Sequence, residues 1–207
     1  MYDAITAIIL SGGKSSRMGQ NKSLIEINGK TIIEDLYLKI KSIFKNIILV
    51  TNEPELYDFI NEPKVKDIFI GKGPLGGIHS GLVHSQTEKN FIISCDLPLI
   101  TLEAIDFIIS KSENQNITLP LANGFVQELC GVYSKSLISN IEEKLEDSNK
   151  EEIRHHEQKH RGCKVHSFIK ENNALIIDFE KEFSFYNENL FFNLNTPKDL
   201  EKITQLL

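Results

Sequence analysis

A chain of 207 residues, 41% hydrophobic and 25% charged with a formal net charge of -6, has an ordinary globular balance and enough length to bury a sizeable core. The acidic excess argues against a nucleic-acid binder, which would carry a basic stripe, but leaves a small polyanionic ligand open, because local charge decides that. No run approaches the roughly 18 apolar residues of a membrane span, and Cys95, Cys130 and Cys163, far apart and without a CxxC spacing, fit a reducing cytoplasm and no disulfide framework.

The opening MYDAITAIILSGG has no basic leading region and only a short apolar run, so no signal peptide is expected. Within it ITAIIL (5–10) reads as a strand buried on both faces, as in parallel sheets. From Thr31 to Phe44 the period changes: Ile32, Leu36, Ile40 and Ile43 share a helical face, with Lys39 and Lys41 off it. NIILVTN (46–52) is a second buried strand, EPELYDFI a short helix, and VKDIFI (65–70) a third strand that breaks at GKGPLGG (71–77). A helix over 78–86, a strand over NFIISCD (90–96), a helix marked by Leu102, Ile105, Ile108 and Ile109, and a strand at NITLPL follow. Strands alternating with helices to about residue 120 predict an α/β fold, a parallel sheet covered on both faces. Right-handed crossovers bring the polar breaks after strands 1, 2 and 4 to one edge, where ligands bind in open α/β sheets.

Beyond residue 121 the alternation weakens. FVQELCGVYS reads as a strand running into a helix over 135–147, 149–164 as a charged, solvated helix and loop, and NALIIDF as a strand. LFFNLNTPKDLEKITQLL begins as a strand and turns at Thr196-Pro197 into a closing helix, Thr196 capping it and Pro197 taking its first position. No repeat and no linker divides the chain, so one domain over 1–207 is expected.

Four elements bear chemistry. In LSGGKSSRMGQNK (10–22) the glycines let backbone N–H groups approach a ligand while Lys14, Arg17 and Lys22 add positive charge, which together suit a phosphate. The spacing is neither GxGxxG nor GxxxxGK[ST], and a solvated basic loop has the same composition. Asp96 in SCDLP ends a buried strand on the ligand edge, well placed for Mg²⁺; as a helix cap it lies too far ahead, and Thr101 is the better cap. GKGPLGG imposes a tight turn after its strand, a plain left-handed turn being the simpler reading. Asn193 and Asn195, two apart, would share a strand face and could bind a heterocycle rich in oxygen and nitrogen, or be turn formers before a helix cap. His156 and His160 have metal-pair spacing beside His155, Cys163 and His166, but a solvated face is the preferred reading. Cys95, in an apolar strand, reads as core rather than nucleophile.

Taken together, LSGGKSSRMGQNK resembles the signature LAGG-x-S-x-R-M-G-x-x-K of the nucleotidyltransferases that activate sugars, isoprenoid precursors and pterin cofactors, and GPLGGI, SCDLP and FNLNTPKDL resemble the molybdenum cofactor guanylyltransferase branch. The resemblance spans both ends and the middle of the chain in order. It implies a Rossmann-like three-layer sandwich of the nucleotide-diphospho-sugar transferase type, mainly parallel, with a nucleotide-binding half (1–120) and an acceptor-binding half (121–207). It implies transfer of GMP from GTP to molybdopterin with release of pyrophosphate, Mg²⁺ as cofactor, and other molybdenum-cofactor biosynthesis proteins and apo-molybdoenzymes as further partners, with neither nucleic acid nor membrane. Leu10, Ser11 and Gly12 would meet guanine and ribose through backbone groups, and Gly13, Arg17 and Lys22 would line the triphosphate. Asn52, Asp67, Gly73 and Gly77 match nucleotide-site positions; Asp96 would hold the metal; Asn193 and Asn195 would border the pterin. Lys22, Arg17 and Asp96 would carry catalysis.

Three residues depart from the pattern: Ser11 stands where alanine is frequent, Asn21 where aspartate is common, and Gly76 turns GPLAG into GPLGG, which should loosen that loop. A sister enzyme with another base or acceptor, such as a molybdopterin cytidylyltransferase or a sugar-phosphate nucleotidyltransferase, is the near alternative. A non-catalytic nucleotide carrier is the distant one, against which the retention of both Lys22 and Asp96 argues.

Overall fold

The computed structural model describes residues 1–12, 21–154 and 165–207, the side chains of 148–154 excepted. Runs of β-branched and leucine residues with no polar interruption form its central strands. β1 (Tyr2–Leu10) is followed by a short 3-10 turn (Lys22–Leu24) and a small antiparallel hairpin, β2 (Glu26–Ile27) and β3 (Lys30–Thr31), closed by Asn28 and Gly29 at positive φ. α1 (Ile32–Ile43) starts where the Thr31 hydroxyl accepts from the Glu34 N–H. β4 (Phe44–Val50), β5 (Lys64–Val65), α2 (Pro74–His84), β6 (Lys89–Ser94), α3 (Leu102–Ser110), β7 (Ile117–Ala122), β8 (Phe125–Val126) and β9 (Cys130–Ser134) follow. α4 (Ile138–Arg154), α5 (Val165–Glu171), β10 (Leu175–Asp178), α6 (Phe179–Glu182) and α7 (Pro197–Leu206) complete the order. Thr101 caps α3, and Thr196 with Asp199 forms a capping box on α7 with Pro197 in its first turn, as expected.

The strands form one sheet in the order β10-β7-β9-β6-β1-β4-β5, with β8 paired to β7. β9 is antiparallel to both β6 and β7, while the remaining pairs along that order are parallel. Period-two alternation divides the core. Ala7 and Ile9, Ile47 and Leu49, Phe91 and Ile93 face the layer of α1, α3 and α6. Ile8 and Leu10, Ile48 and Val50, and Ile92 face α2, α4 and α5. Both faces are thus dry, the three-layer α/β sandwich expected. Among the described residues no helix is long and apolar enough to cross a membrane, and Cys95 and Cys130 are buried free thiols.

Four local expectations are corrected. The third strand stops at Val65 because side chains take over the ladder: Asp67 N donates to Asn52 Oδ1 (3.1 Å) and Ile68 N to Ser80 Oγ (2.8 Å). α2 begins at Pro74, four residues early, with proline in its first turn after Gly73, whose φ of 66° ends the preceding loop. FVQELCGVYS is two strands, because Asn123 and Gly124, both at positive φ, fold β8 back on β7, and a turn at 127–130 then delivers β9. LFFNLNTP is a loop, its backbone spent on turns and on Leu194 N to Asp96 O (3.0 Å).

Glycine is structurally required within β9. A Cβ on Gly131 would lie 2.4 Å from the Thr118 carbonyl oxygen and 2.5 Å from Leu119 Cδ2. Gly131→Ala must therefore push β7 and β9 apart, and is expected to cost about 1–3 kcal/mol. Calorimetry should show a melting midpoint lower by roughly 2–12 °C.

Candidate active site

The tips of three parallel strands end level with one another: Leu10 is in register with Val50 on one side and Ser94 on the other. Ser11 N donates to Val50 O (2.9 Å) and Cys95 N to Leu10 O (3.1 Å), so these exits are stitched together. Two of the backbone groups expected to meet a base are thereby spent on the sheet. Asp96 follows directly, its side chain 15% exposed.

Lys22 arrives from a turn capped by Asn21, whose side chain accepts from Ser23 N. Its Nζ lies 2.5 Å from Asp96 Oδ2 and donates to the Leu194 carbonyl (3.2 Å) and Asn195 Oδ1 (3.4 Å). The lysine of the glycine-rich stretch, the carboxylate ending the SCDLP strand and one asparagine of NLNTP therefore meet at one point. Asp96 Oδ2, the Leu194 carbonyl and Asn195 Oδ1 all converge on a single positive charge. An all-oxygen set with one carboxylate fits a hard divalent cation, which completes its shell with water and phosphate oxygens. Among the described residues no group of three or more His, Cys, Asp or Glu could hold a metal by itself.

Asn52 and Asp67, beyond the ends of β4 and β5, form a reciprocal pair, Asn52 Nδ2 donating to Asp67 Oδ2 at 2.8 Å and Asp67 N to Asn52 Oδ1 at 3.1 Å. Gly77 closes the group: a Cβ there would sit 3.5 Å from Leu10 Cδ2 and 3.7 Å from Asp67 Oδ1. Leu10, Asn52, Asp67 and Gly77 thus lie together at the strand tips, while Gly73 precedes α2 with nothing within 4 Å of a Cβ built on it. Gly76 does not loosen a loop. It lies in the first turn of α2, where a Cβ would come within 3.0 Å of the Phe69 carbonyl.

Asn193 and Asn195 do not share a face, since no strand forms there. Asn193 Nδ2 turns back to the Phe191 carbonyl (3.1 Å), and only Asn195 reaches Lys22. Gly13, Lys14 and Arg17 lie outside the described residues, as do His155, His156, His160 and Cys163. His166 is exposed and bonds Glu128 (2.9 Å). Burial, with Asp96 adjacent, pushes the Cys95 thiol up to about 12, against a smaller opposing effect of Ser11 and Lys22. It stays a neutral thiol at physiological pH, a core residue as read.

Tyr57 escapes sequence reasoning. It is 1% exposed, and its hydroxyl is bonded by Ser11, Asn21 and Ser23, each at 2.9 Å. A lone tyrosine in PELYDFI carries no periodic signal that could have singled it out.

A parallel-strand edge at which a lysine meets a single carboxylate suits an α/β protein that binds a phosphorylated ligand there. Residues 7–161 match the MobA-like NTP transferase domain family, and the chain belongs to it. It is 36% identical to the probable molybdenum cofactor guanylyltransferase of Peptoclostridium acidaminophilum over 97% of this chain and 89% of that one. Identity to the protein of the same name in Carboxydothermus hydrogenoformans is also 36%, over 98% and 96%. The structure superposes on molybdopterin-guanine dinucleotide biosynthesis protein A of Archaeoglobus fulgidus with a TM-score of 0.80, covering 97% of each chain. At 21% identity that likeness concerns the fold alone.

Proposed function

We propose that this protein joins GMP from GTP to the terminal phosphate of molybdopterin, giving the guanine dinucleotide and pyrophosphate. The observation that carries the reading is the 2.5 Å contact of Lys22 with Asp96 at the strand tips. In the reaction an acceptor phosphate oxygen forms a bond to the α-phosphorus in line, and the bond from that phosphorus to the bridging oxygen breaks. Pyrophosphate departs with the electron pair. The nucleophile is already anionic, so no strong base is required, and the chain's task is to align two polyanions that repel each other.

Lys22 places its ammonium where negative charge accumulates on the α-phosphate. By the resemblance, Gly13 and Arg17, outside the described residues, would serve the triphosphate. Leu10, Ser11 and Gly12 border the base and ribose, and Asn52 with Asp67 supplies acceptors that suit the N–H edge of guanine. Asp96, with Asn195 nearby, would hold Mg²⁺, which when bound supplies charge neutralisation of the phosphates. Residues 1–120 would serve the nucleotide and 121–207 the acceptor, Asn195 joining the two at Lys22. Asn193 would border the pterin from the same loop. The setting is the cytoplasm, with other molybdenum-cofactor biosynthesis proteins and apo-molybdoenzymes as further partners.

The test incubates the purified chain with Mg²⁺, molybdopterin and either GTP or CTP, reading pyrophosphate and product mass. GTP-dependent pyrophosphate with a product one GMP heavier than the acceptor is expected. CTP turnover in its place would assign the sister reaction, and nucleotide binding without pyrophosphate from either would make the chain a carrier.

A further inference from the structure

Ser11 and Asn21, ten positions apart and both departures from the sequence pattern noted above, meet on one atom. That atom is the Tyr57 phenolic oxygen, buried where the 3-10 turn Pro54–Tyr57 passes under the strand tips. Ser11 Oγ donates to it at 2.9 Å, Asn21 Nδ2 donates to it at 2.9 Å, and Ser23 Oγ lies 2.9 Å away. Ser23 Oγ in turn lies 2.7 Å from Asn21 Oδ1, which also accepts from Ser23 N at 3.1 Å.

Proton accounting orders this cluster. With two donors aimed at its oxygen, Tyr57 gives its own proton to Ser23 Oγ, and Ser23 gives its proton to Asn21 Oδ1. Each of the three hydroxyl protons in the cluster then has an acceptor. Ser11, Ser23 and Tyr57 are 4%, 1% and 1% exposed, so water cannot readily replace a lost partner. The ring ties three segments together: the end of β1, the turn that begins at Lys22, and the turn after β4. Asn21 is both a member of the ring and the cap of the Lys22 turn.

We propose that Tyr57, held by Ser11, Asn21 and Ser23, is a positioning residue that sets Lys22 against Asp96. The proposal rests on the reading that Lys22 acts in guanylyl transfer. Tyr57 itself touches no reacting atom and works only through the turn it anchors. A displacement of the order of 1 Å in such a group is enough to cost a large factor in rate.

The experiment is a double-mutant cycle with Tyr57→Phe and Lys22→Ala, read by steady-state pyrophosphate release over a range of GTP concentrations. Tyr57→Phe keeps the ring's packing and removes only the hub oxygen. It is expected to lower kcat roughly tenfold, with KM for GTP unchanged within about twofold. The same substitution in the Lys22→Ala background should have no further effect. Ser11→Ala, which removes one of the two donors, should give a smaller loss in the same direction. A folded Tyr57→Phe variant with the full wild-type kcat would overturn the proposal, as would an equal loss with and without Lys22.

A second readout does not need the reaction. After reductive methylation with ¹³C-formaldehyde, the Lys22 resonance is identified by its absence in Lys22→Ala. Tyr57→Phe should move it toward the exposed lysines; an unmoved resonance counts against positioning. If the wild-type chain transfers no nucleotide, the proposed function fails, and this resonance alone decides whether Tyr57 positions Lys22.

Discussion

Lys22→Ala is expected to lower kcat for nucleotidyl transfer by about 10²–10³-fold, the loss seen when one preorganised partner of developing charge is removed. The dissociation constant for GTP should weaken far less. The asymmetry follows from geometry. The Lys22 ammonium is held by three oxygens, from Asp96, Leu194 and Asn195, at the mouth of the parallel strands. A charge fixed in this way contributes most when negative charge is greatest, as pyrophosphate leaves. On the proposed reading a bound nucleotide would still be met by Asn52 and Asp67, which do not touch Lys22. Rapid-quench turnover at saturating GTP beside equilibrium nucleotide binding separates the two. A variant that binds GTP tenfold worse yet turns over at the wild-type rate would reduce Lys22 to a docking group. Lys22→Arg should recover only part of the activity, because a planar guanidinium cannot replace a compact ammonium 2.5 Å from one carboxylate oxygen.

Asp96→Asn should cost at least about 10²-fold in rate and raise the Mg²⁺ concentration needed for half-maximal activity. The amide keeps the shape and removes the charge. The backbone contacts here, Cys95 N to Leu10 O and Leu194 N to Asp96 O, do not involve the side chain. The fold should therefore survive, which circular dichroism and a melting curve would verify. Lys22 would then lose its carboxylate partner while keeping the Leu194 carbonyl and Asn195. A magnesium titration of kcat is the measurement. An unchanged magnesium requirement would show that Asp96 serves only to hold Lys22.

The two predictions differ in how visible their residues were. Asp96 was legible because it is the first acidic group after an apolar strand, on the edge where α/β proteins bind ligands. Lys22 was legible only through its motif, since composition alone allowed a solvated loop. The neutral character of Cys95 also followed from its apolar neighbours. Asn193 and Asn195 were misjudged for a definite reason: period two implies a shared face only if a strand forms, and this backbone is spent on turns and on Asp96. The glycine-rich GPLGG misled in a similar way, because glycine near a helix start reads as a loop until the helix is seen packed. A Cβ at Gly81 would meet Ile8 Cγ2 at 2.5 Å, and that closeness is invisible along the chain.

By itself the sequence determined the buried strands β1, β4 and β6, the helices between them, the Thr101 and Thr196 caps and the edge at which chemistry gathers. These depend on period, on capping side chains and on proline placement, which act within a few residues. Tertiary structure alone decided the reversal of β9, the early end of the third strand, the contact of Lys22 with Asn195, and the ring around Tyr57, whereas the meeting of Lys22 with Asp96 was already expected. Lys22 and Asn195 are 173 positions apart, and Ser11 and Tyr57 are 46 apart. Hydrogen bonds over such separations leave no local period, because they form only after the sheet has brought its strand ends level.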